Sequence, residues 1–254
     1  MATPDHPRRF SGIERLYGAE SLIRLAAAHV CVVGIGGVGA WAVEALARSG
    51  VGRLTLIDLD HVAESNINRQ IHALECTLGQ AKVTAMRDRI VQINPACAVD
   101  CIEEFITPEN VATLVPSCDA VIDAIDQMRA KAALILRCRA SRTYIVTTGG
   151  AGGRVDPTRV RVDDLARTTQ DALASKLRAF LRKEHGYTRD PKKKFGVACV
   201  YSDEPIRRPA SADFCDTDSG AVHGLNCAGY GSSVAVTASF GFAAAAQALD
   251  ILVK

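Results

Sequence analysis

Short apolar runs alternate with helical spacing along the first 150 residues of the chain. Apolar stretches rich in β-branched side chains predict strands at residues 29–33, 53–57, 119–123 and 146–148. Helical spacing precedes the first strand, over residues 14–28, and recurs between strands, as at residues 127–139. Because strands that alternate with helices usually pair in parallel, the pattern predicts an α/β, Rossmann-like, doubly wound fold with a mainly parallel sheet.

The alternation stops after the glycine-rich residues 149–153. The remaining pattern predicts a strand at 159–162, an amphipathic helix at 170–185, a strand at 197–201, a long loop at 204–228 and an apolar helix at 228–253. Gln247, Asp250 and several glycines interrupt the last stretch, so we expect a buried helix and no stable membrane association. A single domain, 1–254, is expected, with a nucleotide-binding half (1–150) and a substrate-facing half (151–254).

A glycine turn, residues 34–39, follows the first predicted strand and opens a helix. It contains Gly34, Gly36, Gly37 and Gly39. Glycines in such a turn allow a tight bend, close approach of the backbone to a phosphate and close packing of helix on strand. The next strand ends at Asp58, where a carboxylate can accept both ribose hydroxyls. These features predict an adenine-nucleotide site.

A polar loop after Asp58 favours ATP over a dinucleotide. The loop carries Asn66, Arg69 and Gln70, and Lys82 follows on the next helix. A planar guanidinium binds two phosphate oxygens and offsets charge that develops during phosphoryl chemistry. A lysine on a helix is usually a solvated residue, so its place beside this loop is what makes Lys82 a candidate.

Asp126 is the candidate Mg²⁺ ligand. It follows the apolar strand that ends near Asp123, at the sheet edge where ligands of such folds sit. Mg²⁺ prefers carboxylate oxygens and keeps bound water. The alternative is that Asp126 caps the helix at 127–139, and both roles are compatible.

These motifs resemble the adenylation domain of the ubiquitin-activating-enzyme-like superfamily. GIGGVG, LIDLD, SNINRQ, GQAK and IDAID match it in order and spacing over about residues 9–150. The resemblance implies that the glycine turn and Asp58 hold ATP, that Asn66, Arg69 and Lys82 contact its phosphates, and that Asp126 serves Mg²⁺. It also implies attack of a carboxylate on the α-phosphate, and a loop that crosses over the site at 204–228.

Nearly the whole chain is similar to the tRNA threonylcarbamoyladenosine dehydratases. The segments that carry this likeness include RRFSGIERLYG, VTTGGAGGRVDPTRV, FGVACVYSDEP and GYGSSVAVTASFGFAAAAQAL. The resemblance implies ATP-dependent dehydration, by cyclisation, of threonylcarbamoyladenosine beside the tRNA anticodon, through adenylation of the threonyl carboxylate. Two alternatives stay open. They are an adenylyltransferase that activates the C-terminus of a ubiquitin-like sulfur carrier, and an NAD-binding protein without ATP use.

Composition favours a cytoplasmic enzyme. The chain is 48% hydrophobic, begins with polar residues and has nine cysteines without a CxxC pair. That cysteine pattern argues against structural zinc and for a reducing compartment. Cys97 and Cys101 are expected to be buried thiols. Cys199 and Cys227 lie in segments expected near the site, and a structural role is favoured over a redox or covalent one.

The remaining expectations concern partners and ions. A basic segment, 178–194, holds Arg178, Arg182, Lys183, Arg189, Lys192, Lys193 and Lys194, and predicts contact with tRNA phosphates against the alternative of a solvated helix and loop. The superfamily resemblance implies a homodimer in which Arg9 or Arg15 reaches the partner's ATP site. The resemblance also brings in a monovalent cation (K⁺ or Na⁺) and sulfur-transfer proteins as expected associates.

Overall fold

Seven strands form one sheet in the structure, a computed structural model that describes residues 5–207 and 230–254. The strands are β1 (His29–Val33), β2 (Arg53–Ile57), β3 (Ala98–Ile102), β4 (Ala120–Asp123), β5 (Tyr144–Thr148), β6 (Val160–Asp164) and β7 (Ala198–Ser202). Their order is β3-β2-β1-β4-β5-β7-β6, and every neighbouring pair is parallel except β6 with β7. The predicted doubly wound, mainly parallel sheet is confirmed, and both halves of the chain contribute strands to it.

Helices cover both faces of the sheet. They are α1 (His6–Tyr17), α2 (Ser21–Ala27), α3 (Gly39–Arg48), α4 (Lys82–Ile93), α5 (Val111–Leu114), α6 (Met128–Ser141), α7 (Ala172–Glu184) and α8 (Val234–Leu252). In β1, Val30 and Val32 face the core shared with α3, α4 and α8, while Cys31 and Val33 face the core shared with α5, α6 and α7. This two-sided burial explains why β1 reads as a continuous apolar run.

The helical spacing at residues 14–28 corresponds to two helices and not to one continuous helix. Two helices, α1 and α2, occupy this region, and α1 begins earlier because Asp5 caps it by accepting a hydrogen bond from the Arg8 amide. Gly18 separates the two helices with a φ of 101°, a conformation that glycine adopts at little cost.

Element boundaries in the second half shift slightly from the prediction. The strand expected at 159–162 is β6, which starts one residue later and runs antiparallel to β7. The helix expected at 170–185 is α7, whose start is set by Asp171, since its carboxylate accepts from the Ala174 amide. Beyond residue 207, the predicted loop at 204–228 lies outside the described residues.

The last helix, α8, is long and apolar enough to cross a membrane by length and composition alone. Half of its most apolar window is buried inside the protein, however, and it packs against α3 and the sheet. Gly241 makes this packing close, because a Cβ there would lie 2.4 Å from the Val38 carbonyl oxygen. The predicted buried helix on the sheet is confirmed.

Candidate active site

A cavity of about 280 Å³ lies at the carboxyl ends of the central parallel strands. Its walls come from the glycine turn, the loops after β2 and β3, the loop between β4 and α6, and the glycine-rich loop after β5, with further residues at the starts of α4 and α8. Of the candidates named from sequence, those that line it are Gly34, Gly36, Gly37, Asp58, Asn66, Arg69, Gln70, Lys82 and Asp126. The structure therefore gathers nearly all of them in one pocket.

The glycine turn is tightly packed from behind and open towards the cavity. Gly34 has a φ of 86°, and a Cβ there would lie 3.0 Å from the Ala124 backbone. A Cβ at Gly39 would lie 1.8 Å from the Gly34 carbonyl oxygen, so Gly39 supports the turn and does not line the cavity. Gly36 has free space where its Cβ would be, and α3 begins just beyond it without a side-chain cap. The positive end of α3 thus faces the cavity.

Asp58 is buried at the end of β2, where it also holds the glycine turn. Its two oxygens accept hydrogen bonds from the amides of Ile35 (2.6 Å) and Asp60 (2.8 Å). Burial raises the pKa of Asp58, and the nearby positive charge of Lys82 opposes that shift. The carboxylate that was predicted to bind ribose therefore has two backbone donors already.

Arg69 lies against the glycine turn in the loop after β2. Its Cγ and Cδ lie 3.2 Å from where a Cβ on Gly37 would be, and Nη1 donates to the carbonyl oxygen of Ser65 at 2.7 Å. The indole nitrogen of Trp41 donates to the Arg69 carbonyl at 2.9 Å. Partial burial lowers the pKa of Arg69. Asn66 stabilises the same loop, because its Oδ1 accepts from the Ala63 amide.

Lys82 is buried, with 6% of its surface exposed, so the reading of it as a solvated helix residue is wrong. Its Nζ donates to Asp60 at 2.6 Å, and the Asp60 side chain is half exposed in the cavity wall. Asp60 was not singled out from sequence, although it follows Asp58 by two residues in the same polar loop.

Asp126 lies half-buried in the loop between β4 and α6 and lines the cavity. α6 begins at Met128, and its capping position is Gln127, one residue after Asp126. No cluster of three metal-binding side chains occurs among residues 5–207 and 230–254. The pocket nonetheless fits Mg²⁺, because this ion typically takes one or two carboxylates and completes its shell with phosphate oxygens and water.

The glycine-rich loop after β5 forms a wall that sequence analysis missed. Asp171, at the start of α7, accepts from the Gly150 amide at 3.0 Å and approaches the buried Arg154 at 3.5 Å. A Cβ at Gly149 would lie 2.1 Å from an Asp171 oxygen, which requires glycine there. The available signal is a glycine run at the end of a strand, because ligands of such folds lie at strand ends.

Other candidates lie away from the cavity. Arg9 donates to the Ile93 carbonyl at the end of α4, and Arg15 donates to Ser11 within α1. Cys199 is 1% exposed within β7, and burial raises the pKa of its thiol. Cys227 lies outside the described residues.

The basic segment is divided by the structure. Arg178 is half-buried and donates to the Thr168 hydroxyl, and Arg182 is half-buried against the Phe195 ring. These two arginines do not belong to an exposed surface, contrary to the prediction. The remaining members of the segment are exposed: Lys183, Arg189, Lys192, Lys193 and Lys194.

The chain is similar to known proteins over nearly its full length. The sequence profile of the ThiF family matches residues 11–254. The tRNA threonylcarbamoyladenosine dehydratase of Haemophilus influenzae is 46% identical over 98% of this chain and 95% of its own length. The crystal structures of Escherichia coli tRNA N6-threonylcarbamoyladenosine dehydratase with ATP and with AMP superpose with TM-scores of 0.87 and 0.88. Each is 48% identical, and each match covers 99% of this chain and 97% of the other.

Proposed function

This chain belongs to the ThiF family, and we infer that it is an ATP-dependent enzyme that dehydrates threonylcarbamoyladenosine in tRNA. One observation carries the inference. The likeness to dehydratases extends over almost the full length of both chains, and the E. coli relative has been solved with ATP and with AMP. ATP is the substrate of carboxylate adenylation, and AMP is what the activated carboxyl group finally releases.

We propose roles for the cavity residues on the basis of their positions. The glycine turn and the start of α3 bind phosphate, and Asp58 accepts the ribose hydroxyls. Arg69 and Lys82, with Asn66 and Gln70, contact the phosphates. A buried lysine and a half-buried guanidinium in a polar cavity favour this assignment, because charge stabilisation is strongest where water is excluded.

The chemistry follows from the poor leaving group of a free carboxylate. A carboxylate oxygen of the threonyl group attacks the α-phosphorus, and the bond from that phosphorus to pyrophosphate breaks. A nearby nucleophile of the same modification then attacks the carbonyl carbon, and AMP leaves with the former carboxylate oxygen. Ring closure within one nucleoside has a high effective concentration, so no protein nucleophile is required. The burial of Cys199 agrees with that scheme.

Ions are proposed on chemical grounds. Asp126 would hold Mg²⁺ together with phosphate oxygens and water, and the ion would neutralise charge on the leaving pyrophosphate. A monovalent cation, K⁺ or Na⁺, is proposed only from the family resemblance.

Assembly and location also remain proposals. We propose a single domain that acts as a homodimer in the cytoplasm and associates with sulfur-transfer proteins. Arg15 is the better candidate to act across the dimer, because Arg9 is engaged by backbone carbonyls at the end of α4.

The decisive experiment labels the threonyl carboxylate of modified tRNA with oxygen-18. We expect the nucleoside to lose one water and the label to appear in AMP, with both products dependent on ATP. An unchanged nucleoside mass would refute the proposed function. So would pyrophosphate exchange that requires a carrier protein and ignores tRNA, which would instead indicate a sulfur-carrier adenylyltransferase.

A further inference from the structure

The loop between α7 and β7, residues 185–197, is held by a stack of aromatic and arginine side chains. The Arg139 guanidinium lies 4.8 Å from the centre of the Tyr187 ring, which packs edge-on against Phe195 at 4.8 Å. The Arg182 guanidinium lies 5.4 Å from the centre of the Phe195 ring. Such stacking ties the loop to the C-terminal ends of α6 and α7. The loop therefore presents its charged residues from a defined position.

A set of exposed cations surrounds this stack, and we call it the distal basic surface. It consists of Arg142, Lys183, Arg189, Lys192, Lys193 and Lys194. Among the described residues, the side chains of the three consecutive lysines have no hydrogen-bond or ion-pair partner, and Lys183 pairs only with its exposed neighbour Glu184 at 3.0 Å. Cations kept exposed and unpaired in this way are available to an anionic partner.

The distal basic surface lies at the opposite end of α6 from the cavity. Gln127, just before α6, lines the cavity, whereas Arg139 and Arg142 lie at its other end. A helix of 14 residues is about 20 Å long. Two further exposed cations, Arg129 near the start of α6 and Lys176 on α7, lie along the layer between them.

We infer that the distal basic surface binds the phosphate backbone of the tRNA stem while the modified nucleoside occupies the cavity. This inference rests on the proposed function. Lysines bind phosphates as mobile point charges and do not read bases. The aromatic rings of the loop are buried, with Tyr187 6% and Phe195 9% exposed, so they are not available to stack on bases. The surface thus contributes affinity without sequence preference.

The test compares two double variants with the same change in charge. Lys192→Glu with Lys193→Glu alters the distal basic surface. Arg87→Glu with Lys254→Glu alters cations whose side chains are 43% and 65% exposed, on α4 and after α8, on the other face of the sheet. Dehydration is measured on full-length modified tRNA over a range of salt concentrations, and also on the modified anticodon loop without its stem.

We expect the lysine variant to raise the KM for full-length tRNA about tenfold and to reduce its salt dependence by at least about one unit of log–log slope. The KM for ATP and the activity on the isolated loop should match those of the unaltered protein, as should every property of the control variant. An unaltered KM and slope in the lysine variant would overturn the inference, and so would an equal defect on the isolated loop. If the unaltered protein dehydrates no tRNA, the proposed function itself fails.

Discussion

Lys131 donates a hydrogen bond to Asp123 across 3.0 Å, with 1% and 0% of the two side chains exposed. The same ammonium donates to the Ile125 carbonyl at 2.8 Å, and the Thr147 hydroxyl donates to the other Asp123 oxygen at 2.6 Å. These bonds join α6, β4 and β5 directly behind residues 124–127, the cavity wall that contains the proposed Mg²⁺ ligand. The buried pair therefore fixes the position of that wall.

Replacing Lys131 with Met should lower the free energy of unfolding by about 3–5 kcal/mol, because Asp123 would remain buried without its cation. Urea denaturation measures this directly. The double variant Lys131→Met with Asp123→Leu should recover most of the loss, since well-packed apolar pairs often replace buried ion pairs at little cost. A single variant as stable as the unaltered protein would show that the pair stabilises nothing.

Two glycines of the turn should respond oppositely to alanine. Gly39→Ala places a Cβ 1.8 Å from the Gly34 carbonyl oxygen, so we expect a less stable protein with a distorted turn. Gly36→Ala meets no atom closer than 4.0 Å in the structure, so stability should be kept while the new methyl group weakens ATP binding. Thermal unfolding and ATP titration separate the two effects. If Gly36→Ala binds ATP as tightly as the unaltered protein does, the phosphates do not lie against Gly36.

Much of the cavity could be predicted because its residues follow strands of one parallel sheet. Strand ends at Val33, Ile57 and Asp123 meet at a single edge, so spacing along the chain is enough to bring the glycine turn, the polar loop and Asp126 together. The buried state of Lys131 could not be predicted this way. A lysine within a helix is usually solvated, and only the ion pair of Lys131 with Asp123 at the end of β4 shows that this one is buried.

Side-chain direction was the other failure of sequence reasoning. Arg178 and Arg182 belong to a basic run, yet α7 turns both towards the protein because they are spaced four residues apart on one helix face. Charge density along a sequence does not distinguish the inner from the outer face of a helix. The amphipathic pattern at residues 170–185 predicted the helix but not that these two arginines lie on its inner face.

Arg69→Ala should slow adenylation by two to three orders of magnitude, a loss of about 3–4 kcal/mol in transition-state stabilisation. ATP binding should remain mostly intact, because other groups in the cavity also contact the nucleotide. Pyrophosphate exchange with modified tRNA gives the rate, and ATP titration gives the affinity. Arg69→Lys keeps the positive charge but lacks the planar guanidinium, so its rate should lie between those of the unaltered protein and Arg69→Ala.

Arg87→Ala is the matched control for that experiment, since the side chain of this arginine on α4 is 43% exposed and pairs with Asp88. It should leave both rate and affinity unchanged. Unaltered turnover in Arg69→Ala would remove Arg69 from the mechanism.

His72 should make the stability of the protein vary with pH in the mildly acidic range. Its side chain is 2% exposed, and neither ring nitrogen has a hydrogen-bond partner among the described residues. Burial, with a smaller contribution from Lys82 and Arg89, lowers its pKa to about 4. An unfolded histidine has a pKa of about 6.5, so between these values the unfolded chain binds a proton that the folded chain does not. The free energy of unfolding is therefore unaffected by His72 above about pH 6.5, and it falls as the pH drops towards 4.

The expected loss reaches about 3 kcal/mol at the acidic end of that range. Urea denaturation of the unaltered protein and of His72→Leu, at several pH values between 4 and 7, gives the effect as a difference in slope. Other groups titrate in the same range, and comparing the two proteins cancels their contribution. His61→Leu is the control for replacing a histidine, because His61 is exposed beside the cavity loop. Equal slopes for the unaltered protein and His72→Leu would mean that His72 accepts its proton in the folded state as readily as in the unfolded chain.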